Sequence, residues 1–561
     1  MNEKPTFDVI VVGSGAAGLA AAIAAAKRGA SVTVLEKAPQ FGGTSAWSGG
    51  EAWVPCNRLM DAAGMPDSRE AAIAYISSLS NGRQASPELI ERFVDTGGEA
   101  IEFLSEHSAY QPEIVMANSD YYEGKPGYTT AGRCIAPQVI DSKKLLGDRW
   151  ATVRDSPHLP ALSSEEFAEE WTRRNLPFHA RTRENNETAV PDARELSKER
   201  LATGIRFMGA SMVSGLMRGA LDAGVELHTN ARVDRLLVEG GAVVGVIVEQ
   251  DGELRSVHAR RGVILASGGF EWNKELTLTY LGVPDVFPIS TNTNVGEGLL
   301  MGLEVGAAVA NMTNPAAIPA IWDEERVVDG QPLGTPSATR TDAGVIIVNQ
   351  QGRRFANEGI CYMDAAKKFK VYDEYTVSYP NETPVWQVFD HTTREKLWDM
   401  EPGPTPAWVK EGSTIAELAE KIGVDVDGLV DEVATWNRYV DNKHDPEFHR
   451  GEIWWEGFMM GGPSPEKNMA RIENGPFYAM RLYNGVVSTL GGLKTDTDAR
   501  VVSSRGHVID GLYAVGTVAA GIFGDAYPGA GGTLGPNLVF GYIAGTHAVH
   551  NRIKDPHAAV S

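Results

Sequence analysis

Residues Phe7 to Glu36, FDVIVVGSGAAGLAAAIAAAKRGASVTVLE, constrain the fold of this chain more than any other stretch. A β-branched run from Phe7 to Val12 leads into GSGAAG. An alanine-rich helical stretch then runs to Lys27-Arg28-Gly29, and a second β-branched run spans Ser31 to Glu36. This is a βαβ unit. Its glycines match GxGxxG with a strand before, a helix after and an acid closing the second strand, the context that gives the pattern meaning. Gly13 suits the tight turn and Gly15 lets backbone approach a pyrophosphate. Ala16 and Ala17 open the helix, Gly18 permits close helix packing, and Glu36 would meet ribose hydroxyls. A bound dinucleotide is expected.

At 561 residues the chain exceeds what one hydrophobic core usually supports, so two large domains, or one interrupted by another, are expected. Its net charge of -22 argues against nucleic acid and anionic membrane surfaces, because phosphates are bound by clustered Lys and Arg. Cys56, Cys134 and Cys361 are odd in number and lack CxxC spacing, so neither a disulfide framework nor a metal site is suggested. The N-terminus lacks the basic and apolar segments of a secretory signal, and the alanine-rich stretch is too short to cross a bilayer. A cytoplasmic location follows, with peripheral membrane association left open and no integral membrane segment expected.

Farther along, Pro66 to Met217 is mostly helical in pattern, with a polar, proline-bearing passage from Arg154 to Pro191 that reads as a surface excursion. From Val225 to Phe270 alternating apolar residues and GG and DG turns predict a small antiparallel meander. Residues 288–476 mix strands such as Gly344 to Val348 with helical stretches such as Thr414 to Asn442. The dinucleotide-type pattern then resumes. The expected architecture is α/β: a Rossmann-like, glutathione-reductase-type nucleotide domain (1–287 and 477–561) interrupted by an inserted α+β catalytic domain (288–476).

After Glu36 comes EKAPQFGGTSAWSGGEAWVP, whose second glycine cluster suits a large extended ligand such as FAD. Here the sequence resembles the flavoproteins of the fumarate reductase type and, among them, the 3-ketosteroid Δ1-dehydrogenases. The likeness extends through ARRGVILASGGFEWN, TNTNVGEGLLMGLEVGAA, VNQQGRRFANE and GPFYAMRL, and so over nearly the whole chain. It implies FAD held by Glu36, Lys37, Gly43, Thr44, Ser45, Ser48, Gly49, Gly50, Val233, Ser267 and Gly268. At the flavin end it implies Gly516, Gly532, Leu534 and Gly535. Phe41 to Gly50 contains no histidine of the kind that carries FAD covalently in the succinate dehydrogenase branch, so FAD is expected to bind without a covalent bond.

Within this superfamily the chemistry separates the branches. Fumarate reduction needs cations to clamp two carboxylates, yet NEGICYMDAA places Cys361-Tyr362 where the resemblance would put the proton-donating arginine. GAGGTLGPN, Gly529 to Asn537, carries no arginine either. Tyrosines stand in these places, as in the ketosteroid enzymes. The resemblance assigns a base role to Tyr362, assisted by Tyr121 or Tyr122, and carbonyl polarisation to Tyr527 with the Gly531 amide. The implied reaction is α,β-desaturation of a cyclic ketone, with hydride passing to FAD. A 3-oxosteroid is the first expectation and a smaller alicyclic ketone of the cyclohexanone kind the alternative; a fumarate-reductase-like flavoprotein, or a non-catalytic electron-transfer flavoprotein whose tyrosines merely pack, ranks behind both. The electron acceptor, whether quinone, dye or protein, is left open. Glu51 replaces a glycine usual in the steroid branch, and Ile360-Cys361 replaces a glycine-proline.

Overall fold

The computed structural model describes residues 5–553 apart from 81, 83–85, 117, 159–161, 163–192, 324, 338, 383, 397–404, 454–455, 457–463 and 552. Most of the passage from Arg154 to Pro191 therefore lies outside the described residues.

The βαβ unit forms as its sequence predicts: β1 (Thr6–Val12), α1 (Ala16–Ala26) and β2 (Val32–Leu35), with β1 and β2 parallel. Gly13 has φ 104°, and a Cβ there would lie 2.4 Å from the Ala266 carbonyl oxygen. Only glycine fits this turn. Two further helices position the site, α2 (Gly43–Trp47), which follows β2, and α3 (Pro87–His107). Helix α4 (Met208–Asp222) extends beyond the expected end of the helical region.

Strand β3 (Glu226–His228) joins β2 in parallel. The meander consists of β4 (Arg232–Glu239), β5 (Ala242–Gln250) and β6 (Glu253–Leu265), paired antiparallel. The second half of β6 does something the turn signals do not announce. Val263 to Leu265 run parallel to Ile10, Val11 and Val12, so one long strand serves both the meander and the nucleotide sheet. Its apolar residues are buried on both faces, as a central parallel strand requires.

A second sheet is built from β7 (Pro315–Ile321), β8 (Ile346–Val348), β9 (Val385–Asp390), β10 (Val409–Gly412) and β11 (Phe477–Thr489). Between β8 and β9 lies the short helix α5 (Tyr362–Lys367). Strand β11 pairs with β7, β9 and β10. It begins at the position where the sequence suggests that the nucleotide domain resumes. We place that return after Thr489, because the pattern of GPFYAMRL is apolar in either sheet and only the pairing assigns it.

The chain then re-enters the first sheet at the edge strand Arg500–Val502, antiparallel to β12 (Val508–Ala514); β12 lies parallel to β6, and α6 (Leu534–His550) follows. Helix α6 packs on α1 with almost no side chain between them: a Cβ on Gly541 would lie 2.5 Å from the Ala17 carbonyl oxygen. The alanine run of α1 is thus a surface for close helix approach, and its residues Ala16 to Ala25 are buried.

Candidate active site

A cavity of about 490 Å³ lies between the nucleotide sheet and the second sheet, within the usual range for ligand pockets. Its wall includes Gly13, Gly15, Ala16, Ala17, Glu36, Lys37, Gly43, Thr44, Ser45, Ser48, Gly49, Gly50, Val233, Ser267, Gly268, Gly516 and Leu534. Every one of these was expected on a dinucleotide. Gly18, Gly532 and Gly535 do not line it. Gly18 packs on the Gly13 carbonyl, Gly532 lies behind the Tyr527 ring, and Gly535 abuts the Trp53 carbonyl.

The chemistry of this wall fits FAD. Gly15 caps an eleven-residue helix with no side-chain cap and no acid in its first turn, which leaves the positive helix end for an anion. Ser267 Oγ and Ser488 Oγ, on residues of the same wall, are buried without a hydrogen-bond partner. Such groups are costly unless a ligand or water completes them. Glu36 is less free than its sequence position suggests. Its Oε2 accepts from Ser14 Oγ at 2.6 Å and Ser14 N at 3.1 Å, and Oε1 accepts from Ala38 N at 2.9 Å. Lys37 Nζ pairs with Glu297 Oε2 at 2.5 Å.

At the other end stand three tyrosines. Tyr121 and Tyr362 have ring centroids 6.0 Å apart, Tyr121 and Tyr527 6.0 Å, and Tyr362 and Tyr527 5.9 Å. The Tyr121 and Tyr362 hydroxyls are 3.3 Å apart. Tyr122 points elsewhere: its hydroxyl donates to Asp364 Oδ2 at 2.8 Å. Of the adjacent pair, Tyr121 is the one that reaches Tyr362. Tyr362 and Tyr527 line the cavity, and Tyr121 stands behind them in the same apolar cluster.

Each tyrosine is placed by a different element. Tyr362 opens α5. The loop carrying Tyr121 is strapped to the segment carrying Tyr527, since Tyr121 N and Tyr75 Oη both donate to the Pro528 carbonyl, at 3.0 and 2.7 Å. Beneath it, Arg133 bonds Asp120 Oδ2 at 2.7 Å and Asp67 Oδ1 at 2.7 Å, and Trp53 Nε1 donates to Asp120 Oδ1 at 2.8 Å. A buried cation held between two carboxylates fixes the loop that presents Tyr121.

Gly531 has φ 87°, and a Cβ would lie 2.5 Å from the Glu51 carbonyl oxygen. Its own carbonyl accepts from Trp53 N at 3.0 Å and Gly535 N at 2.9 Å. No acceptor for its N–H is found among the described residues, and it lines the cavity near Tyr527. A phenol and an unused amide on one wall are the donors that a carbonyl oxygen gaining negative charge requires.

Burial pushes all three phenols up: Tyr527 to about 12, and Tyr121 and Tyr362 well above the ordinary value, with Cys361 the next contributor for Tyr121 and the Tyr121 charge for Tyr362. Burial also pushes the Glu51 carboxyl up to about 7, against a hydrogen bond from Asn118 at 3.2 Å. Glu51 lines the cavity, and its charge disfavours ionisation of Tyr121 and Tyr527. Sequence reading noted Glu51 only as a departure. His158, Met208, Asn294 and Ser488 also line the cavity; tertiary packing brings in His158, Met208 and Ser488, whereas Asn294 lies in TNTNVGEG, which carries the resemblance without marking this residue.

A family model described as "FAD binding domain" matches residues 8–534. The chain belongs to that FAD-binding family. As a member it is an FAD-dependent oxidoreductase. It is 35% identical to a 3-oxosteroid 1-dehydrogenase of Mycobacterium tuberculosis, over 96% of this chain and 98% of the relative. It is 36% identical to a 4-oxocyclohexanecarboxylate 2-dehydrogenase of Sinomonas cyclohexanicum, over 97% of this chain and 93% of that one. Among solved structures, a 3-ketosteroid Δ1-dehydrogenase of Sterolibacterium denitrificans in complex with 1,4-androstadiene-3,17-dione superposes with a TM-score of 0.87 at 31% identity, covering 98% of this chain and 100% of that one. An open flavocytochrome c3 fumarate reductase, at 22% identity and a TM-score of 0.64, shares the fold. Among the described residues no helix is long and apolar enough to cross a membrane.

Proposed function

We propose that the protein desaturates a cyclic ketone between its α and β carbons, with a 3-oxosteroid as the first substrate class. The observation that carries this is the convergence of Tyr121, Tyr362, Tyr527 and Gly531 at the end of a cavity whose remaining wall suits FAD. On this reading Tyr527 Oη and Gly531 N–H donate to the ketone oxygen, which acidifies the α-hydrogen by stabilising negative charge on oxygen. Tyr362 takes the α-proton, and the Tyr121 hydroxyl stabilises the resulting phenolate through the contact at 3.3 Å. FAD, when bound, supplies the acceptor for the hydride that leaves the β-carbon. It is held without a covalent bond, because Phe41 to Gly50 offers neither histidine nor cysteine.

Apolar lining from Ala316, Ile318, Pro336, Met363 and Val487 suits an alicyclic ring and offers no charge to a dicarboxylate. A smaller alicyclic ketone is the second reading, supported by 36% identity to an enzyme named for 4-oxocyclohexanecarboxylate and by Glu51 in the cavity wall. Anaerobic mixing of the FAD-loaded protein with 3-oxosteroids and with substituted cyclohexanones separates them. The steroid reading requires loss of the oxidised flavin absorbance, and a new ring double bond in the product, at the lowest ketone concentration with the steroid. Bleaching by cyclohexanones alone would replace it with the second reading, and bleaching by neither would end both. The physiological electron acceptor is read out by reoxidising the bleached protein with quinones, dyes or candidate proteins.

A further inference from the structure

Arg340 lies in a short helical turn, Thr339–Thr341, and is 2% exposed. Its guanidinium donates to the carbonyl oxygens of Glu358 and Ile360, the latter at 2.9 Å. These carbonyls precede Tyr362 by four and two residues on the segment that leads into α5. Two other buried arginines nearby are paired with carboxylates. Arg354 bonds Glu358 at 2.8 and 2.9 Å and Asp445 at 2.9 Å, and Arg450 bonds Glu358 Oε2 at 2.8 Å. Arg340 has no carboxylate among its hydrogen-bond partners within the described residues. Its charge is felt by Cys361, by the Glu358 carboxylate that Arg354 and Arg450 already bond, and by Tyr362, with Arg450 opposing it.

We propose that Arg340 is the positioning residue of the base, holding the Glu358–Ile360 backbone that aims Tyr362 and supplying the positive field that favours its phenolate. The proposal rests on the reading of Tyr362 as the base. Its physical motive is plain: a half-buried phenol in an apolar cluster, surrounded by other weak acids, does not ionise unaided, and a hydroxyl at 3.3 Å offers limited help. The groups that face Tyr362 are Tyr121, Tyr527, Cys361 and Arg340, with Asp364 on its own helix held by Tyr122 and Lys367, and Glu51 acting on Tyr121 and Tyr527. Arg340 is the cation of this set that hydrogen-bonds no carboxylate among the described residues, and the Glu358 charge it feels is shared with Arg354 and Arg450. Burial lowers its pKa to about 10, so it is charged at neutral pH.

The test is the pH dependence of single-turnover flavin reduction in Arg340→Gln, which keeps an amide donor for the backbone carbonyl and removes the charge. The proposal expects about tenfold slower reduction at neutral pH, with the alkaline rise displaced upward by about one pH unit. An equal loss in Arg340→Lys at pH 6, where the lysine carries the same charge, would show a purely structural role and overturn it. Arg340→Lys decides the matter if the Gln variant does not fold. A buried lysine loses its proton more readily than arginine, so the ratio of variant to native rate should fall as pH rises. A constant ratio would contradict the field. Full activity in Tyr362→Phe would instead sink the base reading, a separate outcome.

Discussion

Tyr362 and Tyr527 stand half-buried in an apolar cluster, and the loss of water around their hydroxyls makes them poor acids. For Tyr362 the sign is straightforward. A base whose pKa is raised is protonated, and inactive, at pH values below it, so turnover should climb with pH across the neutral and mildly alkaline range. Glu51 works against this climb. Above about 7 its carboxylate adds negative charge beside Tyr121 and Tyr527, while below that pH it is neutral. Glu51→Gln is therefore expected to raise the rate above pH 7, with little change at pH 6; an unchanged profile would detach Glu51 from the tyrosines. Tyr527→Phe removes one of two donors to the ketone oxygen and should lower kcat by about 10²–10³. Stopped-flow flavin reduction reads this directly. Tyr121→Phe should cost at least tenfold, whereas Tyr122→Phe, whose hydroxyl serves Asp364, should stay within about threefold.

At the scale of elements, much was legible and the exceptions have causes. GSGAAG, the alanine run and Glu36 were readable because a nucleotide turn is a local solution that repeats in sequence. The tyrosines were legible only through resemblance: nothing in the spacing of residues 121, 362 and 527 says that they meet. What brings them together is pairing, of the Tyr121 loop with Pro528 and of β7 with β11, which no local pattern encodes. The same holds for β11, whose apolar run reads equally well in either sheet, and for Arg340, whose importance lies in two carbonyls far along the chain. Between α1 and α6 the glycines were readable but their purpose was not. Gly541→Leu should force the helices apart and destabilise the fold by about 1–3 kcal/mol, an overpacking cost. Thermal unfolding of the variant with and without FAD measures it, and an unchanged midpoint would show that the close approach is dispensable.

For the whole molecule, the placement of the cavity between two sheets explains why one protein can hold a dinucleotide and a ketone together. The first sheet supplies the glycine turn, and the second with its α5 helix supplies Tyr362, the proposed base. The central claim is that Tyr362 removes the α-proton. Anaerobic single-turnover mixing of FAD-loaded Tyr362→Phe with the preferred ketone tests it most directly. The account predicts that ketone binds with near-native affinity while flavin reduction slows by about 10²–10⁴, the usual contribution of a positioned base. Flavin reduction at the native rate in that variant would contradict it.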